Sequence, residues 1–435
     1  MTAATRQSRE ARQARVLGGR SPGPAQRIGL FGYLGSGNIG NDASMESALG
    51  YLRSAHPEAI IDAMCTGPDR LRVAYGLDAI PLFWYLKHER RFLRPAAVAI
   101  KGLGKVIDIV RIASWVRRHD IVVVPGMGVL ETTLPLRALG APYAMFLLCL
   151  SGRLSRTRVA LVSVGANVIK QPLIRWLYRS AAWLACYVSY RDAGSLEAMP
   201  RRGAGITRPR VYPDLAFGIP VGSQEPGDEQ IVGVGVMDFH GTNDNRDQAD
   251  QIYASYIAAV TDFIVWLTDT GRSVRLFIGD TKGCDERVVD EVLTRVLARR
   301  PELDRGRVTA VPASSFGDLM EAMEPAATIV ATRYHNVICA LRLGKPTISL
   351  GYAAKHEALM SEMGLAAYCQ DARALDVDRL IKQFADIESR SAQLRPIIAE
   401  RNEALAREVA EQFRYMSALL FPRSAQKTTT VEMKS

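Results

Sequence analysis

An arginine and a histidine one residue apart form the most informative chemical pattern in the chain. Residues 332–336 read T-R-Y-H-N, after an apolar run at 327–331 and before a helix-compatible stretch. We therefore expect Arg333 and His335 in the first turn of a helix, beside a strand end. A helix N-terminus disfavours cations, so two basic groups there indicate an anionic ligand. Arginine suits an acid anion and histidine suits proton transfer. The alternative is that Arg333 pairs with a carboxylate and His335 fills a polar niche.

A glycine-rich segment follows the first predicted strand. Residues 32–41 read G-Y-L-G-S-G-N-I-G-N and lead into a predicted helix. Glycines such as Gly37 and Gly40 let backbone N–H groups converge on an anion at the helix N-terminus. Asn38 is a candidate for contact with an acceptor, because its amide both donates and accepts hydrogen bonds.

This segment is not a dinucleotide-binding fingerprint. Its residues 35–40 fit G-x-G-x-x-G, but the second strand ends in C-T-G at 65–67, without the acidic residue that binds a ribose. The alternative is a tight turn with Asn41 or Asp42 as the helix N-cap.

Further candidates lie where other predicted strands end. They are Gly126 and Gly128 after the strand 120–125, Arg191 after the strand 186–190, and Lys355 after the strand 346–350. In parallel α/β domains, ligands bind at the carboxyl ends of the strands. The alternatives are ordinary turns and caps, with Lys355 simply solvated.

The elements that position these residues alternate between apolar strand-like runs and helical patterns. Such alternation is typical of parallel sheets covered by helices on both faces. The pattern stops at a linker-like segment and restarts after it, which predicts two doubly wound Rossmann-like α/β domains facing a cleft. The predicted divisions are a disordered basic arm (1–26), an N-terminal domain on the acceptor side (27–220), a linker (221–229), a C-terminal domain on the donor side (230–423) and a disordered tail (424–435).

Composition narrows the class of protein. Apolar residues make up 48% and charged residues 23% of 435 residues, as in folded globular proteins. The formal net charge of +10 favours an anionic ligand or membrane surface, but no nucleic-acid-binding module is present, so nucleic acid is disfavoured. Six scattered cysteines without metal-like spacing predict reduced core thiols and no metal site. No signal peptide or membrane-spanning run is evident, which predicts a cytoplasmic protein.

Taken together, the motifs resemble the polysaccharide pyruvyl transferase family. Its glycine-rich segment resembles residues 32–41, and its S-x-R-D-x-x-S segment resembles residues 189–195. The family's D-x-A-F motif matches residues 214–217, and its late R-x-H…A…G-x-P block matches Arg333 to Pro346. The chain departs from the family at Asn41, where an acidic residue is common.

The resemblance implies a fold like that of the two-domain GT-B glycosyltransferases, phosphoenolpyruvate as donor, and no cofactor or metal. It implies a catalytic role for His335 with Arg333, donor binding by Arg191, Arg333 and Lys355, and transfer of pyruvate as a ketal to a sugar or lipid-linked glycan of the cell envelope. Asp214 is a candidate for contact with the sugar or for orienting a catalytic group, with a role in a turn as the alternative.

The sequence leaves two rival functions open. One is a nucleotide-sugar-dependent glycosyltransferase of the same fold, because a basic cleft with glycine turns also binds a diphosphate. The other is a non-catalytic sugar-binding homologue. The basic and apolar residues between Lys87 and Arg118 also allow peripheral contact with an anionic membrane at its inner face, with a pair of covering helices as the alternative.

Overall fold

Two parallel β-sheets form the framework of the protein. The computed structural model describes residues 25–87, 94–131, 137–200, 208–222, 226–241, 247–281 and 284–421. The first sheet has seven strands in the order β3-β2-β1-β4-β5-β6-β7. Its strands are β1 (Arg27–Gly32), β2 (Ile60–Cys65), β3 (Asp78–Pro81), β4 (Ile121–Pro125), β5 (Arg158–Val164), β6 (Tyr187–Tyr190) and β7 (Arg210–Val211).

The second sheet has six strands in the order β10-β9-β8-β11-β12-β13. They are β8 (Asp228–Gly235), β9 (Ser273–Phe277), β10 (Val308–Ala310), β11 (Ala326–Ala331), β12 (Thr347–Gly351) and β13 (Cys369–Asp371). In both sheets the chain starts in the middle, builds outward to one edge, then crosses to the other side. Each sheet therefore has a switch point at which the loops diverge, and ligands bind at such points.

Helices cover the faces of both sheets. Those of the first half are α1 (Ile39–Ala55), α2 (Pro68–Tyr75), α3 (Arg94–Val116), α4 (Ala141–Ser155), α5 (Pro172–Leu184) and α6 (Ala193–Ala198). Those of the second half are α7 (Ala249–Asp269), α8 (Cys284–Arg299), α9 (Phe316–Met323), α10 (Tyr334–Arg342), α11 (Ala354–Glu362), α12 (Val377–Ser389) and α13 (Ser391–Leu420). The central strands β4 and β11 are buried along their whole length, because helices shield both faces.

The two halves contact each other at the start of α1. The backbone N–H of Ile39 donates to the carbonyl of Gly279 (3.2 Å), and that of Thr281 donates to the carbonyl of Gly37 (2.9 Å). The loop after β9 therefore holds the glycine-rich segment that precedes α1.

The last helix, α13, also joins the halves. It leaves the second half and packs on α1, where the ring of Phe413 stacks on Tyr51 with 4.8 Å between centroids. Its Gln412 accepts a hydrogen bond from Ser163 of β5 (2.9 Å). The domain bounds given above stay a prediction.

The predicted fold class is confirmed: two Rossmann-like parallel-sheet domains lie on either side of a cleft, in the GT-B manner. The strands predicted at 120–125, 186–190, 327–331 and 346–350 are present and differ by one residue at most at either end, and three short edge strands, β3, β7 and β13, were not predicted. Between Arg94 and Val116 lies a single helix, where a pair of covering helices was the alternative to membrane contact. The predicted disordered tail lies outside the described residues, as does the basic arm up to residue 24.

Candidate active site

A cleft of about 830 Å³ lies between the carboxyl ends of the two sheets. Loops after β1, β4 and β6 form one wall, and loops after β9, β11 and β12 form the other. The predicted site residues that line it are Asn38, Gly128, Arg191, Arg333, His335 and Lys355. The structure therefore brings together cationic residues that are far apart in the sequence. Arg191 and Lys355 are separated by 164 positions.

Asp214 connects Arg191 of the first half with His335 of the second. Its Oδ2 accepts a hydrogen bond from Nη1 of Arg191 at 3.3 Å and lies 3.6 Å from Nε2 of His335. Its Oδ1 accepts the backbone N–H of Ala216 (3.1 Å), which fixes the carboxylate. Asp214 is buried, whereas the His335 side chain is 16% exposed. The carboxylate thus lies beside an imidazole that lines the cleft, at ion-pair distance and beyond hydrogen-bond distance.

Glu131 is a second carboxylate beside Arg191. Its Oε1 accepts a hydrogen bond from Nη2 of Arg191, and its Oε2 lies 3.7 Å from Nζ of Lys355. The residue is held by a short extension of the sheet, since Leu130 N–H donates to the carbonyl of Gly165 (3.1 Å). Gly165 has to be a glycine here, because a Cβ would lie 2.6 Å from Nη2 of Arg191.

The charges of these groups stabilise one another. Burial on its own raises the pKa of Glu131, but Lys355 and Arg191 outweigh it and lower the pKa to about 2. Burial likewise opposes ionisation of Asp214, yet His335 and Arg191 hold its pKa well below the usual range. Burial opposes the charge of Arg191, and Glu131 and Asp214 raise its pKa above the ordinary value. All three groups are therefore charged at neutral pH.

Arg333 is held by a buried carboxylate. Its Nε and Nη2 donate to Asp285 at 2.9 and 2.7 Å, a bidentate pair that fixes the guanidinium plane. Asp285 itself is buried at the start of α8 and also accepts N–H groups of Asp238 (3.0 Å) and Gly279 (3.2 Å). The Arg333 side chain keeps 19% of its surface exposed, so Nη1, which is outside this pair, can contact a ligand.

Tyr334 packs between the cations of the cleft. The guanidinium carbon of Arg191 lies 5.5 Å from its ring centroid, and Nζ of Lys355 lies 5.1 Å from it. An aromatic face attracts cations through its quadrupole. Tyr334 therefore holds two positive charges from opposite walls of the cleft near the start of α10.

Asn336 is a buried amide in the same helix turn. It lines the cleft and is fully buried, and in the described part of the chain neither Nδ2 nor Oδ1 has a hydrogen-bond partner. An unsatisfied buried amide costs free energy, so Asn336 weakens the fold at this wall of the cleft. The first backbone N–H groups of a helix also lack acceptors within it. The start of α10 thus presents donors to the cleft.

The glycine-rich segment supports the opposite wall. Asn38 rather than Asn41 or Asp42 is the N-cap of α1: its Oδ1 accepts the N–H of Asn41 at 3.2 Å. Gly37 has φ +91, which suits glycine alone, and its carbonyl accepts the N–H of Thr281. A Cβ on Gly40 would overlap the imidazole of His335, so Gly40 makes room for that ring.

The glycine turn after β4 lies deeper. Gly126 has φ +56, and a Cβ there would lie 2.5 Å from Oγ of Ser44. Gly128 lines the cleft beneath the carboxylate of Glu131, where a Cβ would lie 2.7 Å from Oε2. The two glycines let the backbone approach Ser44 and the Glu131 carboxylate closely. Of the two, Gly128 alone lines the cleft.

Sequence reasoning missed Glu131, Asp285 and Asn336. Glu131 ends the apolar and glycine-rich run 121–130, and Asp285 opens a helix after the polar loop at 280–284. For both Glu131 and Asp285, the feature that could have predicted a site residue is an acidic side chain at the end of a strand or the start of a helix. Asn336 is part of the T-R-Y-H-N segment but lacks a charge, and burial of its unpaired amide is visible only in three dimensions.

Two properties of the described residues concern membranes and metals. None of the helices in that part of the chain is long and apolar enough to cross a membrane. The same residues contain no group of three or more His, Cys, Asp and Glu side chains that could hold a metal ion. The expectation that no metal is required stays a prediction.

The fold occurs in proteins of other functions. UDP-GlcNAc 2-epimerase of Neisseria meningitidis, solved with UDP-GlcNAc, has a TM-score of 0.54 at 11% identity, covering 90% of this chain and all of that one. MnaA of S. aureus, solved with UDP, has a TM-score of 0.55 at 11% identity, covering 91% and 97%. The N-terminal domain of trehalose-6-phosphate phosphatase of Candida albicans has a TM-score of 0.56 at 10% identity, covering 93% and 98%. These likenesses show the fold alone.

Sequence comparison gives the family. No curated protein matches the chain. The family model described as polysaccharide pyruvyl transferase matches residues 38–353, which run from the N-cap of α1 to the residue before α11 and include the R-x-H segment. The chain therefore belongs to the polysaccharide pyruvyl transferase family.

Proposed function

We propose that the protein transfers the pyruvyl group of phosphoenolpyruvate to a sugar of a polysaccharide or its precursor, forming a ketal and releasing phosphate. The observation that carries the proposal is the meeting of Arg191, Arg333, Lys355 and His335 in one cleft. Phosphoenolpyruvate presents a carboxylate and a phosphate, and arginine with lysine is the usual partner of such a pair.

Arg333 and Lys355 are the groups that we assign to the donor. Their side chains are 19% and 17% exposed, and both line the cleft. The buried amide of Asn336 and the first N–H groups of α10 add neutral donors for the same anion. A donor that binds Lys355 has to compete with Glu131. The 3.7 Å contact between Glu131 and Lys355 is weaker than the hydrogen bond between Glu131 and Arg191.

Arg191 is better suited to positioning than to binding. Its side chain is only 2% exposed, and two of its nitrogens already contact Glu131 and Asp214. It holds Asp214 in place, and Asp214 lies beside His335. That Arg191 itself contacts the donor stays a prediction.

His335 moves the protons in the proposed reaction. Protonation of the vinyl carbon C3 makes C2 of the donor electrophilic, and a first sugar hydroxyl adds there and loses its proton. A second hydroxyl then displaces the phosphate group and loses its proton in turn. One proton ends on the new methyl group and the other leaves with phosphate, so the atoms and charges balance. We assign contact with the acceptor to Asn38, which lines the cleft at the start of α1.

The test separates this function from its two rivals. The purified chain is incubated with phosphoenolpyruvate, and in parallel with a nucleotide sugar, in the presence of a panel of soluble and lipid-linked glycans. Release of phosphate or of a nucleoside diphosphate is measured with and without each glycan. Acceptor-dependent phosphate release, with a product heavier by one pyruvyl ketal, supports the proposal. Release of a nucleoside diphosphate from a nucleotide sugar instead indicates a glycosyltransferase.

A matched control comes from outside the cleft. Arg407 is exposed on α13 and pairs only weakly with Glu403, so Arg407→Ala should release phosphate at the wild-type rate. If glycans bind but neither donor is consumed, the protein is a sugar-binding homologue and the proposal is wrong.

A further inference from the structure

Helix α5 presents an exposed aromatic and basic surface to solvent. Its residues Leu173, Trp176 and Trp183 are 55%, 55% and 50% exposed, and they form one stripe along the helix. The exposed Arg175 and Arg179 flank that stripe. We call these five residues the Trp176 surface. A shallow groove of about 620 Å³ runs along it.

The charge around the Trp176 surface has one sign. Between Glu131 and Asp192 the sequence contains eight Arg or Lys residues and no Asp or Glu. Six of these cations are exposed on or beside α4 and α5: Arg137, Arg153, Arg156, Lys170, Arg175 and Arg179. Within this stretch of the sequence no carboxylate offsets the cations of α5, so the surface complements an anionic partner.

Neighbouring helices extend the apolar character of this face. The rings of Phe146 on α4 and Trp176 on α5 lie 5.2 Å apart between centroids, so α4 supports the exposed tryptophan. On the other side of α4, α3 exposes Leu103, Val106 and Val110 at helical spacing. Half-exposed tryptophans beside arginines are typical of segments that lie in the headgroup region of a bilayer.

We propose that the Trp176 surface docks the protein on an anionic lipid bilayer. Trp176 and Trp183 enter the headgroup region while Arg175 and Arg179 contact lipid phosphates. A second copy of this chain fits the surface less well. A symmetric dimer would bring Arg175 and Arg179 of two subunits together, and like charges repel one another.

The position of the Trp176 surface relates membrane docking to the proposed function. This part of the inference rests on that function. The opposite side of α5 lines the cleft through Ile174 and Tyr178. The docked face and the catalytic cleft are therefore separated by one helix, a thickness of about 10 Å. A glycan anchored in the bilayer by a lipid, one of the acceptors that the family resemblance implies, would meet the cleft at this edge.

The test is sedimentation of the full chain with vesicles, without donor or acceptor. Vesicles of phosphatidylcholine with about one third phosphatidylglycerol should pellet the protein at about 0.05 M salt. Pure phosphatidylcholine, or about 0.5 M salt, should release most of it. Because no turnover is measured, the result is independent of the proposed reaction.

Variants locate the contact. Trp176→Ala with Trp183→Ala, and separately Arg175→Gln with Arg179→Gln, should each lower the partition coefficient about tenfold. The control Ile397→Ala removes an exposed apolar side chain of α13 and should bind as the wild type does. Thermal unfolding checks that each variant is folded.

Three results would overturn the proposal. The first is failure of the wild type to pellet with anionic vesicles at low salt. The second is unchanged binding of both double variants, which would place the contact elsewhere. The third is a dimer in light scattering that the tryptophan variant dissociates while vesicles bind nothing, which would make a second copy the occupant.

Discussion

Oδ2 of Asp214 lies 3.6 Å from Nε2 of His335, although the two residues belong to opposite halves of the molecule. The contact joins the loop after β7 to the first turn of α10. Removal of the imidazole, as in His335→Ala, should lower kcat about 10²- to 10⁴-fold, because the proton donor is lost. The melting temperature should stay near that of the wild type, since the ring lies at the surface of the cleft. Steady-state phosphate release and calorimetry check both.

Asp214→Asn serves as the companion variant, because it keeps the shape and removes the charge. It should lower kcat and also cost stability, on the order of 3 kcal/mol, since Arg191 loses a buried partner. Equal activity of both variants and the wild type would contradict the assigned proton transfer.

Gly40→Ala tests the close approach between α1 and the imidazole. The added Cβ overlaps His335, so the ring has to move and kcat should fall at least about tenfold. In a His335→Ala background the same change should have little further effect, because the obstacle is gone. Additive effects in this double-mutant cycle would show that Gly40 acts by another route.

Asn336→Leu should separate stability from activity. An apolar side chain of similar volume removes two unsatisfied polar atoms, so unfolding should become less favourable by about 1–3 kcal/mol. The KM for phosphoenolpyruvate should rise, because the amide no longer binds the donor. Denaturant unfolding and donor titration measure the two effects. Loss of stability with unchanged KM would mean that Asn336 serves the fold alone.

Asp42 should give a pH dependence opposite in sign to that of Glu131. Burial raises the pKa of Asp42 to about 6 in the folded protein, above the value in an unfolded chain. Ionisation therefore costs stability as the pH rises from about 4 to above 6. Asp42→Asn should become more stable relative to the wild type over this range, by up to about 3 kcal/mol. A difference that does not change with pH would contradict the raised pKa.

The lowered pKa of Glu131 makes stability fall, not rise, as the pH is lowered. Its contribution to stability is complete above about pH 5 and is lost as the pH falls towards its folded value of about 2. Denaturant unfolding of wild type and Glu131→Gln at several pH values should therefore show their difference shrink on acidification.

Gly165→Ala tests the pair of Glu131 and Arg191. Its Cβ would lie 2.6 Å from Nη2 of Arg191, so the pair has to separate, at a cost of about 1–3 kcal/mol. Gly50→Ala is the matched control: nothing lies within 4 Å of its Cβ, and alanine in the middle of α1 should stabilise by about 0.5–1 kcal/mol. Chemical denaturation compares the two, and equal stability changes would contradict a close fit at Gly165.

Burial explains both which strands could be predicted from the sequence and which were missed. Central strands such as β4 are buried on both faces and therefore form continuous apolar runs. The missed strands β3, β7 and β13 all lie at sheet edges and are only two to four residues long. These three edge strands contain no continuous apolar run, so their composition does not distinguish them from loops.

By itself, the sequence determined the alternating α/β pattern, the two-domain fold and the position of Arg333 and His335 at a helix start, because each depends on periodicity or on neighbours along the chain. Only the tertiary structure decided which carboxylate meets which cation. Glu131 meets Arg191 across 60 residues, and Asp285 meets Arg333 across 48. Contacts at such separations depend on where the loops bring distant segments together, and no local pattern encodes that path.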